Sequence, residues 1–281
     1  MLARVYRWVL NLSTLLVVAC GSPESEITSG RFEALTYNVA GLPIGISKSE
    51  PEDFIPQISP LLNEYDLVLV QEDFSYHAEL IRYIVHRYRS TPKKNTTALV
   101  NDGLNRFSRF PWTEFERKQW VQCFGDANVG SGDCLSEKGF SLARTEISPG
   151  LWVDIYNLHA EAGGGEMDII AREAGIAQFI DYVLNTSAGN AVIIGGDTNL
   201  HLDDASDLIL INDIISKLQV EDVCDFVGCG IESIDRFYFR SNDKIDLKPL
   251  SWRFAPEFVT TDGEDLSDHK PVHVSFQWHA Q

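Results

Sequence analysis

Ala191-Val192-Ile193-Ile194-Gly195-Gly196-Asp197-Thr198-Asn199 runs from an apolar stretch straight into polar side chains. The apolar residues, mostly β-branched, predict a strand buried on both faces. Two glycines close the run, where the backbone must turn sharply or approach another segment closely. If the extended geometry continues, alternation sends the side chains of Asp197 and Asn199 the same way. A carboxylate and a carboxamide then stand at the rim of a core strand. Glycine, aspartate and asparagine are also turn residues, so a plain polar turn fits this stretch equally well.

The chain has 281 residues, 44% of them hydrophobic, enough for one large domain with a substantial core. Its formal charge of -18 opposes non-specific binding to nucleic acid, and a stable nucleic-acid complex is not expected. A bound divalent cation can reverse the local field, so a nuclease is not excluded by charge alone. Residues 1–19 read as a signal peptide: Arg4 and Arg7 form a basic start, and residues 9–19 form an apolar run too short to cross a membrane. Leu16-Val17-Val18-Ala19-Cys20 is similar to a bacterial lipobox, which implies lipidation of Cys20. Ordinary cleavage near Ala19 with secretion is the alternative. Small polar residues make 20–30 a tether, and Gly21 favours the outer membrane as the anchored location. An exported chain meets an oxidising compartment. Close spacing then favours local disulfides, Cys123–Cys134 and Cys224–Cys229; a zinc site is the rival, without CxxC spacing to support it.

After the tether the pattern alternates strands and helices, predicting one α/β domain over 31–281. Strands are expected at 31–39, 66–70, 139–147, 151–158, 191–196, 236–240 and 271–277, with a short one at 97–100. Helices are expected at 51–63, 76–88, 167–184 and 206–218. Ser148-Pro149-Gly150 between two strands is a hairpin signal. Several of these strands end in a polar residue: Asn38, Glu72, His159, Asp197 with Asn199, Asp235, and Asp268 with His269. Sites in α/β folds form where loops leave strand ends. Carboxylates, carboxamides and histidines gathered there suit a hard divalent cation and phosphate chemistry. His77, His86, His201, His273 and His279 stand outside this set, and Asp203 with Asp204 reads as a helix cap.

Thr36-Tyr37-Asn38-Val39, Val70-Gln71-Glu72, Leu158-His159-Ala160, Gly195-Gly196-Asp197-Thr198-Asn199, Ile234-Asp235-Arg236 and Ser267-Asp268-His269-Lys270-Pro271-Val272 occur in the order typical of one family. The chain resembles the endonuclease/exonuclease/phosphatase superfamily, the fold of deoxyribonuclease I and of neutral, Mg²⁺-dependent sphingomyelinases. That resemblance implies a four-layer α/β sandwich in which two packed mixed β-sheets are flanked by helices. It implies Mg²⁺, as one or two ions with Mn²⁺ able to substitute, held by Asn38, Glu72 and Asp268. It implies catalytic roles for His159, Asp197, Asp235 and His269: Asp235 holds the His269 ring, Asp197 orients or deprotonates water, and His159 stabilises charge or acts as acid. Asn199 binds a phosphate oxygen.

Residues 120–134, Glu137-Lys138-Gly139-Phe140 and the stretch from Tyr37 to Pro43 look similar to bacterial sphingomyelinases. The expectation is a monomeric, exported phosphodiesterase acting on a phosphate ester, a phospholipid head group, with the lipid anchor holding it at the membrane. A secreted nuclease is the first alternative. A surface protein that keeps the fold and has lost catalysis is the second. Phe107, Phe110, Trp112 and Trp120 are candidates either for lipid contact or for the core.

Overall fold

The computed structural model describes residues 27–46, 49–94, 96–126 and 128–281. The expected signal peptide, Cys20 and the expected tether up to residue 26 lie outside the described residues.

Two six-stranded sheets face each other. In the first, β1 (Ser29–Asn38) runs parallel to β2 (Leu67–Gln71) and antiparallel to β12 (Val272–Ala280). Edge strand β11 (Ile245–Phe254) pairs with β12; β4 (Asn105–Ser108) and the two-residue β3 (Tyr88–Arg89) complete the other side. In the second, β7 (Leu151–His159) runs parallel to β8 (Val192–Asp197). It is flanked by β6 (Gly139–Ser148) and β5 (Trp112–Gln119) on one side, and by β10 (Asp235–Arg240) and β9 (Glu221–Asp222) on the other.

Alternation along the strands sorts the core into three layers. Leu67 and Leu69 of β2, Val153 and Ile155 of β7, and Ile193 of β8 meet between the sheets, with Phe237 and Phe276. Their neighbours point outward. Val68 and Val70 pack under helix α1 (Pro51–Leu61) through Phe54, Ile55 and Ile58. Tyr156, Leu158, Val192 and Ile194 pack under α3 (Glu166–Thr186) and α4 (Ala205–Leu218), through Ile176, Phe179, Ile180, Leu210 and Ile214. Burying each such side chain contributes about 1.5–3 kcal/mol. Both sheets are therefore apolar on two faces, and the four-layer sandwich follows.

The same parity places the site. Counting by twos from the inward residues reaches Asn38 and Gln71 in the first sheet, and Asn157, His159, Asp197 and Asp235 in the second. All lie at one end of the sandwich. Register pairs Asn38 with Gln71, His159 with Asp197, and Asp197 with Asp235. Gln71 Nε2 donates to Asn157 Oδ1 across the sheets at 2.7 Å, and Asn157 Nδ2 donates to the Val70 and Asn105 carbonyls. This buried polar clamp forms the floor of the site.

The glycines of the opening stretch do not end the strand. They are inside β8, which continues to Asp197. A Cβ on Gly195 would meet Phe237 and Leu69 between the sheets, and one on Gly196 would stand 2.0 Å from the Leu158 carbonyl oxygen. Gly196 also has φ +150°. Gly196→Ala is therefore expected to cost several kcal/mol, a large fraction of the roughly 5–15 kcal/mol that stabilises a domain. Urea denaturation monitored by circular dichroism would show it as a lowered midpoint.

Other expectations are corrected. The helix at 76–88 shrinks to α2 (His77–Leu80). Leu80 and Ile84 are buried as the spacing requires, but Ser59 Oγ and Asn63 Oδ1 accept the Tyr83 and Val85 N–H groups that a longer helix would use. No strand forms at 97–100, where the Thr97 N–H donates to the Glu137 carboxylate. Strand β11 escaped notice because a register shift at Pro249/Ser251 breaks its alternation, and proline is tolerated at an edge. Strand β5 is largely polar and half-exposed, so no apolar pattern marked it. The aromatic candidates are not a lipid surface: Phe107 and Trp120 are buried, and Phe110 packs edge-on against Phe32. Trp112 stands at the sandwich end away from the site, opposite Thr145. Both disulfides form as the spacing predicts, Cys123–Cys134 and Cys224–Cys229. Among the described residues no helix is long and apolar enough to cross a membrane.

Candidate active site

Asn38, at the end of β1, is wholly buried and joins the two sheets. Its Nδ2 donates to Glu72 Oε1 and to Asp197 Oδ2, both at 3.1 Å. Its Oδ1 accepts the Ala40 N–H, and its backbone carbonyl accepts from Ser267 Oγ at 2.8 Å. The second of these ties the segment before β12 to β1. Asn38 thus holds two carboxylates from different sheets beside each other.

Strand ends release these side chains through unusual backbone. Ala40, Glu72 and Asn199 all adopt positive φ, at 49°, 56° and 47°. Left-handed backbone in such residues is costly and gathers at functional sites. Glu72 is held there because its carbonyl accepts the Gly41 and Phe74 N–H groups. A Cβ on Gly41 would lie 2.5 Å from that carbonyl oxygen, so only glycine permits the approach. At Asn199 the turn is closed by Asp197 Oδ1, which accepts the Asn199 N–H, while Asn199 Nδ2 donates to the Ala160 carbonyl. Asn199 therefore does not continue the extended run, and the turn and the site are one structure.

His269 Nδ1 lies 2.8 Å from Asp235 Oδ2, and its Nε2 faces Asp197 Oδ2 at 3.7 Å and Asn38 Nδ2 at 3.5 Å. Burial acts against charge on this ring, but the Asp235 and Asp197 carboxylates outweigh it and raise its pKa to about 10. His159, completely buried, faces Asp197 Oδ2 at 3.4 Å and Glu72 Oε1 at 3.8 Å through Nε2. Burial, then Lys138 and His269, hold its pKa well below the usual range. The two histidines are thus driven apart: His269 carries charge and His159 is neutral. Burial raises the pKa of both Glu72 and Asp197, so these clustered carboxylates resist ionisation without a cation. Asp197, Asp235 and His269 can present ligand atoms within 4.8 Å of one another. Asp235 and the charged His269 ring are engaged with each other, so the oxygens that suit a hard divalent ion such as Mg²⁺ are those of Glu72 and Asp197, held side by side by Asn38. Asp268 is exposed; its one described hydrogen bond is a long one with Ser267 Oγ, at 3.5 Å, and none joins it to Glu72.

Sequence reading missed a second layer. Lys138 is buried, with Nζ 2.5 Å from Asp133 Oδ1 and 3.5 Å from the Ala160 carbonyl. Like the charged His269, it is a cation that acts on Glu72, Asp197 and His159. Beside it, Glu161 Oε2 accepts the Phe124 N–H within the loop closed by Cys123–Cys134. Trp120 Nε1 donates to the His159 carbonyl at 2.8 Å. Lys138 sits in the noted Glu137-Lys138-Gly139-Phe140 stretch, but no spacing announces that its partner is Asp133. The remaining histidines stay apart: His77 pairs with Asp73, His86 with the Tyr65 carbonyl, and His273 with Glu33. Arg172 forms a buried ion pair with Asp207, and Asp204 caps α4.

Burial and then Asp133 push the Glu161 carboxyl up to about 8, from an ordinary 4.5. The folded state then binds this proton more tightly than the unfolded one. Stability from it is full below about pH 4.5 and is lost as pH rises through 8. Glu161→Gln should remove that component. Thermal melts are expected to show a fall in Tm from pH 5 to 8 that is shallower in the variant; equal slopes would reject the assignment.

No protein-family model matches the chain. Sphingomyelinases of Mycobacterium tuberculosis and Mycobacterium bovis are 33% identical over 285 residues, covering 94% of this chain and 56% of theirs. The chain thus spans about half the length of these relatives. Among solved structures, sphingomyelinase C from Streptomyces griseocarneus superposes with a TM-score of 0.65 at 18% identity, covering 88% of this chain and 99% of that one. The chain has the deoxyribonuclease I-like fold. A Staphylococcus aureus beta toxin with bound magnesium ions matches at TM-score 0.63 and 17% identity, over 87% of this chain and 99% of that one. A humanised Danio rerio TDP2 matches at 0.66 and 15% identity, over 88% and 98%. In this deoxyribonuclease I-like chain the site sits between the two sheets, at the end where Asn38, His159 and Asp197 emerge.

Proposed function

We propose that this chain is an exported, Mg²⁺-dependent phosphodiesterase that hydrolyses a phospholipid head group, in the manner of a sphingomyelinase. The carrying observation is the clasp of His269 between Asp235 and Asp197, beside Glu72 and neutral His159. Glu72 would be the main ligand of the metal, with Asn38 and Asp268 as its supports; Mn²⁺ would substitute. Bound, the ion would polarise a phosphate oxygen and lower the pKa of water.

The protein's own groups supply the rest. Asp235 accepts from His269 Nδ1–H, fixing the ring so that Nε2 points into the site. As an imidazolium, His269 suits binding a phosphate oxygen or giving a proton to the leaving alkoxide. Asp197 accepts from Asn38 and faces both histidines, which suits it to orient and deprotonate the attacking water. Neutral His159 packs its Nε2 edge against Asp197 Oδ2 at 3.4 Å, on the side of the carboxylate away from water. The 33% identity to proteins named sphingomyelinase supports the lipid substrate, and the lipobox-like stretch supports export and anchoring through Cys20.

The purified protein should release phosphocholine from sphingomyelin in Mg²⁺ and stop in EDTA. Cutting of plasmid DNA without lipid hydrolysis would establish the nuclease instead. No turnover of any phosphate ester would leave a binding protein.

A further inference from the structure

Glu72 leaves β2 in left-handed backbone, and a residue with a Cβ keeps that conformation only where its surroundings hold it. The residue that follows is held closely. The Asp73 N–H donates to the Gly103 carbonyl at 3.1 Å. The Asp73 side chain is wholly buried, and its Oδ2 accepts from Asn105 Nδ2 at 2.7 Å and from His77 Nδ1 at 2.6 Å. Its Oδ1 has no partner among the described residues. Gly103 lies directly on the Glu72 backbone, at φ +63°, where a Cβ would stand 2.9 Å from both the N and the Cα of Glu72.

The supports of Asp73 are anchored in turn. His77 opens α2 and Asn105 opens β4. Asn105 Oδ1 accepts from Ser90 Oγ and from Arg117 Nη2. Arg117, on β5 of the other sheet, also donates through Nη1 to both Asp102 oxygens, at 2.6 and 2.8 Å, and so pins the residue before Gly103. Side chains from α2, β4 and β5 thus converge on one peptide. None of these hydrogen bonds reaches the Glu72 carboxylate, which accepts from Asn38. We propose that His77 and Asn105, through Asp73, are positioning residues that aim Glu72 at the divalent cation. The proposal rests on the metal-dependent reading above and names what holds its main ligand in place.

Packing alone does not call for this arrangement. A buried carboxylate with one oxygen unpaired is a costly anchor for a loop, and an apolar side chain of similar size would hold it at less cost. What the polar network adds is direction. Two donors from different elements meet one oxygen, which fixes the rotation of residue 73 and with it the peptide shared with Glu72. Groups that orient metal ligands act in this way, and losing one commonly weakens metal binding or activity about 10–100-fold. His77 is the residue to change first, because its side chain is partly exposed and truncating it leaves no closed cavity.

The test uses the full chain with Mn²⁺ alone as the probe, since electron paramagnetic resonance separates free from bound ion. His77→Ala should weaken Mn²⁺ binding about 10–100-fold. His77→Asn, which keeps a donor toward Asp73, should recover most of that loss, and Asn105→Leu should act in the same direction as His77→Ala. In turnover assays the Mg²⁺ needed for half-saturation should rise in His77→Ala, with kcat at saturating Mg²⁺ near that of the parent. Unchanged Mn²⁺ binding in His77→Ala, with or without a lower melting temperature, would reduce the pair to a structural contact and overturn the proposal. Equal losses in His77→Ala and His77→Asn, or a parent affinity that Glu72→Gln does not move, would overturn it too. Binding that falls in His77→Ala and returns in His77→Asn, in a parent that turns over no phosphate ester, would keep the positioning role and reject the phosphodiesterase.

Discussion

His269→Ala is expected to lower phosphodiester turnover by about 10²–10⁴-fold while leaving the fold intact. The ring bridges Asp235 on β10 and Asp197 on β8, 2.8 Å from the first and 3.7 Å from the second. Removing it deletes a cationic group that holds a proton beside Asp197 at neutral pH. It also leaves two carboxylates facing each other without the charge that lowers the pKa of Asp197. Asp235→Asn keeps a hydrogen-bond partner but weakens the hold on the imidazolium. Its loss should be smaller, with the basic limb of the pH–rate profile moved to lower pH. The charge on His269 is present below about pH 10 and lost above it, so weaker carboxylate support brings that loss closer to neutrality. Steady-state assays and circular dichroism on both variants decide the matter. Near-normal turnover in His269→Ala would remove this residue from the chemistry.

Lys138→Met is expected to cost both stability and activity. Its ammonium is buried against Asp133, and breaking a buried pair by removing one partner costs about 3–5 kcal/mol. The same charge lowers the pKa of Glu72 and Asp197, so its loss raises both and disfavours the ionised forms that a cation needs. Adding Asp133→Asn removes the stranded carboxylate. The double variant should regain much of the stability and none of the activity. Urea denaturation and Mg²⁺-dependent turnover across the four-member cycle separate the two effects. Full activity in the double variant would show that Lys138 serves only the packing of the 120–138 loop.

Much of this was legible in the residues because local rules and tertiary context agreed. The β2, β7 and β8 runs are apolar on both faces since helices cover one and the opposite sheet the other, and such runs stand out in any sequence. Polar residues at their ends mark the site for the same reason: polarity at the end of a buried strand has to face an opening. The helix expected at 76–88 failed because Ser59 and Asn63, distant in sequence, capture its backbone N–H groups. Strands β5 and β11 lie at sheet edges, where half-exposure and a register shift erase period-two patterning.

By itself the sequence determined the order of the buried strands β1, β2, β6, β7, β8, β10 and β12 and of helices α1, α3 and α4, the two disulfide pairs and the identity of the polar residues at the strand ends. Those depend on short-range periodicity and spacing, which a linear reading contains. Only the tertiary structure decided what those residues do to one another. In the opening stretch the glycines remain inside β8, because Leu158 and the facing sheet leave no room for side chains there. Asp197 is then set between His159 and His269, residues 38 before it and 72 beyond it in the chain. One imidazole is neutral and the other charged because carboxylates and a buried lysine from distant segments converge on them. Charge interactions depend on distance through space and on burial, and neither can be counted along a chain.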